Sequence, residues 1–83
     1  MEKKRWPREI EDRSYDIIRD VMLGSFMHGK GCYLDNTDGR KGYITIDDAM
    51  AYKYNVMDVK TDEVIESYPE LMPMIEDGWK VGV

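Results

Sequence analysis

The sequence predicts a small α+β domain: a long N-terminal helix and two short helices packed on an antiparallel sheet of four to five short strands. Three observations carry this reading. Apolar residues recur at helical spacing near the start, two later stretches read as strand runs split by turn residues, and 83 residues with 42% apolar content suit one folded unit. A chain of this length buries only roughly 60% of its unfolded surface, so the core is thin. Seven methionines and six tyrosines help to fill it. Methionine adapts to irregular gaps and tyrosine keeps its hydroxyl wet, which also suits an adaptable interface. The whole chain, 1–83, is expected to be one domain, with residues 1–7 a flexible basic arm.

The first helix is expected from about Pro7 to Met27. Ile10, Ile17, Ile18, Val21 and Met22 mark one face, and Glu9, Asp12, Arg13, Asp16, Arg19 and Asp20 mark the other. Proline suits the first helical position, and Glu9, Glu11 and Asp12 suit the positive end of the helix dipole. Gly24, or the Gly29 and Gly31 pair, ends the helix with residues that reach positive φ. CYLDNTDGRKGYIT follows, two strand runs around a turn at Asn36-Thr37-Asp38-Gly39, with Gly42 marking a bulge.

Thr45 with Asp48 three residues on resembles a capping box, opening a short helix through Ala49, Met50, Ala51 and Tyr52. A second hairpin runs through Val56, Met57 and Val59, turns at Lys60-Thr61-Asp62-Glu63, and returns through Val64, Ile65 and Tyr68. Pro69 suits the first turn of a short helix carrying Leu71, Met72, Met74 and Ile75, which Gly78 caps. Trp79, Val81 and Val83 then alternate with Lys80 and Gly82 as a final strand with one buried face.

Composition narrows the setting. A single cysteine, Cys32, forms no internal disulfide, and a small secreted domain usually needs several, so a reducing, cytoplasmic compartment is expected. The start, MEKKRWPREIEDR, has no apolar h-region, and VMLGSFMHG is too short to span a bilayer, so neither export nor a membrane is expected. The net charge is −5, unevenly distributed: Lys3, Lys4, Arg5 and Arg8 against Glu2 give the first eight residues +3 and leave −8 on the rest. An acidic body repels duplex phosphates and favours basic surfaces, such as those of proteins that hold nucleic acid.

No motif fixes a chemistry. TDGRKGYITIDD, 37–48, resembles an EF-hand loop only in its second half, where Gly42, Ile44 and Asp48 fall in register. Thr37, Gly39 and Lys41 stand where calcium needs oxygen ligands, so a hairpin leading into a helix cap is expected instead. His28, Cys32 and Asp35 supply one imidazole, one thiolate and one carboxylate, short of a structural zinc set. His28 is expected near a helix C-terminus and Cys32 packed in a strand. Nothing nearby completes a Cys-His nucleophile, and Gly29-Lys30-Gly31 lacks the Walker spacing. The expectation is a protein that is not an enzyme and carries no metal or cofactor.

Two surfaces remain. Asp12, Asp16, Asp20, Asp35, Asp38, Asp58, Asp62, Glu63 and Glu66 form a candidate face for a partner protein with a basic surface, one that belongs to a nucleic-acid-binding effector complex. Lys3, Lys4, Arg5, Trp6 and Arg8 form a candidate nucleic-acid arm, with an aromatic among cations; its competing role is a solvated tail whose Trp6 folds back on the first helix. In size and charge the chain resembles stand-alone phage-encoded inhibitors of bacterial defence, including anti-CRISPR proteins. That resemblance is one of class and covers no motif; it implies a phage or mobile-element inhibitor acting in the host cytoplasm. The alternatives are a nucleic-acid-associated regulator, with direct nucleic-acid contact through the arm, and a protein that sequesters a small ligand.

Overall fold

The computed structural model describes residues 5–19 and 27–82. The first element, α1 (Arg8–Arg19), turns Ser14, Ile17 and Ile18 inward. Two polar side chains on its buried face have specific partners. Glu11 receives Nε and Nη2 of Arg5 at 3.0 and 2.8 Å, and the Ser14 hydroxyl accepts from the Val81 backbone at 3.0 Å. Burying a carboxylate against a two-pronged guanidinium offsets much of its desolvation cost.

Six strands follow: β1 (Met27–His28), β2 (Gly31–Asn36), β3 (Lys41–Ile44), β4 (Tyr54–Asp58), β5 (Val64–Tyr68) and β6 (Trp79–Val81). They interleave with α2 (Ile46–Met50) and α3 (Leu71–Glu76). All described pairings are antiparallel, and β1 to β5 are neighbours in chain order. Strand β2 has β3 along one side; along the other it has β1 at its start and β6 at its end. Among the described residues the sheet is therefore five positions wide and built from six strands, a small α+β fold.

One stretch departs from the expectation. The first helix was predicted to reach Met27, but Met27 and His28 pair with Cys32 and Gly31 as a hairpin around Gly29-Lys30. The register forces glycine at position 31: its φ is +149°, and a Cβ there would lie 2.1 Å from the Ile44 carbonyl oxygen. His28 thus belongs to a strand and not to a helix end. Val21, Met22, Gly24 and the helix terminus itself lie outside the described residues.

Gly42 marks no bulge. It pairs regularly with Leu34 and Asp58, and lacks a Cβ because one would stand 2.5 Å from Val56 Cγ1. The irregularity falls between β4 and β5, where Val56 faces Glu66 and Met57 faces Val64, so Ile65 is the extra residue. Helix α2 starts as expected, with the Thr45 side chain accepting from the Asp48 backbone at 3.1 Å. Its far end is shorter than predicted. Ala51 is the C-cap, and Tyr52 takes φ +57° where glycine or asparagine is usual.

The core lies between one face of the sheet and helices α1 and α3. Ile18, Cys32, Leu34, Ile44, Val56, Met74, Ile75 and Trp79 are almost wholly buried. A polar knot closes one end. Buried Asn36 donates to the Asp77 carbonyl at 3.1 Å and accepts from the Asp38 backbone at 3.1 Å; Tyr68 bonds the Asp77 carboxylate and receives Trp79 Nε1 at 3.1 Å. Trp6 Nε1 reaches the Gly78 carbonyl at 2.7 Å from outside. Among the described residues, no helix is long and apolar enough to cross a membrane.

Candidate functional site

The nine predicted partner-binding carboxylates divide into two groups. Those on the sheet are mostly engaged. Asp35 holds Lys41 at 2.9 Å and Lys80 at 3.7 Å, while Asp38 and Glu66 share Arg40 at 2.7 and 3.2 Å. Asp58 caps its own turn, accepting from the backbones of Lys60 and Thr61 at 2.7 and 3.2 Å. Asp62 accepts from Lys30 Nζ and the Tyr43 hydroxyl, both at 2.7 Å. The Lys30 bond, then the Tyr43 bond, hold Asp62 below the usual carboxylate range, and the same contacts raise Lys30 and Tyr43. Glu63 alone of the sheet set is exposed with no side-chain partner among the described residues.

The group on α1 is different. Asp12 and Asp16 are exposed, and Glu9 joins them at positions i, i+3 and i+7, one stripe along the crest of the helix. Asp12 has only Arg8 at 3.8 Å, with both side chains largely in water, a pairing worth a few tenths of a kcal/mol at most. Glu9 and Asp16 hold no ion pair among the described residues. Asp20 lies outside the described residues.

The basic segment is partly tied down. Arg5 is clamped on Glu11, and Trp6 is bonded to Gly78 with Lys80 over its ring at 5.0 Å. Lys3 and Lys4 lie outside the described residues, while Arg8 is exposed on α1. Trp6 does fold back, though onto the α3–β6 junction instead of α1.

Beside the crest runs a cleft that the sequence did not announce. Its walls are Tyr15 and Arg19 of α1, Tyr52 and Tyr54 after α2, and Glu70 and Met72 at the start of α3, around about 360 Å³. A second groove of about 350 Å³ continues from it, sharing Tyr15 and Met72 and ending at Arg5, Trp6 and Arg8. Arg19 Nη1 donates to the Tyr15 hydroxyl at 3.0 Å, and the guanidinium carbon lies 5.9 Å from that ring's centre. Burial raises the Tyr54 hydroxyl, and the Arg19 charge partly opposes that.

Compared with known proteins, the chain matches no family model, and no curated protein or solved structure is significantly similar to it.

The remaining candidates have local roles. Cys32 is fully buried, and burial pushes its thiol up to about 11. The EF-hand-like stretch is a turn, a strand and a helix cap, and the Asp48 carboxylate accepts from Asn55 at 3.3 Å. Among the described residues no group of three His, Cys, Asp or Glu side chains is placed to hold a metal ion. Lys30, between the two glycines, bonds the Val59 carbonyl as well as Asp62.

Proposed function

We propose that this chain is a non-enzymatic binding protein that engages a basic surface of a macromolecular partner through the crest of α1. One observation carries the reading: Glu9, Asp12 and Asp16 form a solvent-facing acidic stripe with almost no internal pairing, whereas most acidic residues of the sheet are already neutralised by neighbours. Unpaired charge on a helix surface is available to steer and orient a cationic partner, and a net charge of −5 adds long-range attraction. A protein that tracks nucleic-acid phosphates presents such a basic surface. An inhibitor of a nucleic-acid-handling or defence protein would place the stripe where phosphates otherwise lie. The deep burial of the single thiol supports a role without nucleophilic chemistry.

The test is affinity capture from a bacterial lysate with the tagged protein at low and moderate salt, with bound material identified by mass spectrometry and a nucleic-acid gel. A basic protein retained without nucleic acid, and lost with Glu9→Lys, Asp12→Lys and Asp16→Lys combined, is the expected result. Retention by the reversed variant, or recovery of nucleic acid alone, overturns the assignment.

A further inference from the structure

The cleft beside α1 has features that the acidic stripe does not use. Tyr54 forms its floor and is only 6% exposed, yet its hydroxyl has no hydrogen-bond partner among the described residues. Among the described residues no fully buried side-chain polar atom is left unpaired, and the cleft is the cavity in which this hydroxyl meets solvent. Solvent serves that hydroxyl in the free protein, and a ligand oxygen can take the water's place. Arg19 lines the same cleft. One of its five N–H groups is used on Tyr15, and no carboxylate lies within ion-pair distance of it among the described residues. The Tyr15 hydroxyl accepts that bond and keeps its own proton to donate.

The rim is equally specific. Tyr52 is 64% exposed and sits at φ +57°, a conformation that costs a bulky residue on the order of 1 kcal/mol or more. Replacing it by glycine would relieve the backbone and remove an aromatic face from the opening. Met72, 47% exposed, adds a second soft apolar surface. Glu70, at the N-cap position of α3, makes no side-chain cap bond there, so its carboxylate is left at the edge of the cleft.

We propose that the cleft binds a nucleoside monophosphate, as a free molecule or as the end of a nucleic-acid strand. Arg19 and the hydroxyls of Tyr15 and Tyr54 converge as donors on the phosphate, a demand that a three-oxygen anion meets better than a carboxylate. The base lies against the Tyr52 ring and Met72, and Glu70 accepts from its exocyclic amine. An acidic peptide carries no flat ring with an exocyclic amine for Glu70 and would set its carboxylates against that residue. The volume of about 360 Å³ is at the small end of ligand sites and matches a single nucleotide. The net charge opposes any anion, but that repulsion is screened beyond about 8–10 Å in physiological salt, whereas the Arg19 contact is direct. This site is separate from the acidic stripe, and its test does not depend on the partner.

The probes are adenosine 5′-monophosphate, cytidine 5′-monophosphate, uridine 5′-monophosphate and inorganic phosphate, titrated into the full chain and followed by amide NMR shifts. Saturable binding of the first two is expected, weaker by about tenfold or more in Arg19→Ala and several-fold in Tyr54→Phe, both of which keep the fold. Glu70→Gln should narrow the preference for amine-bearing bases over uridine. Single nucleotides and a short oligonucleotide ending in the same base distinguish the two sources. Shifts that never saturate, equal affinity for inorganic phosphate, or an unchanged affinity in Arg19→Ala would each overturn the proposal.

Discussion

The carboxylates of the sheet and those of α1 look alike in composition and differ in what holds them. On the sheet, Asp35, Asp38, Asp62 and Glu66 each meet a cation within 3.2 Å, and two of these contacts join segments far apart in sequence. On α1, among the described residues, Asp16 and Glu9 meet none, and Asp12 meets only a distant Arg8. A count of acidic residues therefore overstates the charge a partner can feel. What matters is which carboxylates the fold has already used.

The difference can be broken from its structural side first. Asn36 sits at the end of β2, where its amide holds the Asp77 carbonyl and the β2–β3 turn together. Asn36→Ala removes a buried amide that ties both together and should lower stability by about 1–3 kcal/mol in urea unfolding. A loss under half a kcal/mol would mean that the knot is not structural. The Lys30–Asp62–Tyr43 contact gives a smaller effect with a defined pH signature. Because the folded-state pKa of Asp62 is depressed, its contribution is present above the ordinary carboxylate value of about 3.9 and disappears as pH falls through the folded value. Unfolding midpoints measured between pH 2.5 and 7 should fall less steeply on the acid side in Asp62→Asn than in the wild type. Smallest of all is the crest: Glu9→Gln, Asp12→Asn and Asp16→Asn should each leave stability within about 0.5 kcal/mol, while weakening capture of a basic partner. A large stability loss there would show these charges to be structural after all.

Much of the architecture was readable from local patterns. The turn at Asn36–Gly39, the Thr45 cap, the second hairpin and the alternation around Trp79 are set by neighbours in sequence and appear, whereas Pro69, expected in the first turn of α3, lies before its N-cap Glu70. Met27 and His28 were misread because two residues show no period, and the apolar run before them is as compatible with helix as with strand. The fate of the acidic residues was not readable at all. Lys30 and Asp62 are 32 positions apart and Arg40 and Glu66 are 26, so their pairing exists only once the sheet is assembled. The cleft was hidden for the same reason: Arg19, Tyr54 and Glu70 come from three elements. The one local hint was a helix end at Tyr52 with no glycine beside it.

The Ser14 hydroxyl that takes the Val81 N–H has a wider consequence. It occupies a backbone donor on the outer side of β6, a position from which a strand can recruit a strand of another copy. At the opposite side of the sheet, the Ile65 bulge and the Pro69 that follows β5 spoil the regular ladder that a docking strand would need. Both margins are thus poor templates for growth into fibres. The fold thus leaves its sheet few places at which to recruit further copies of the chain.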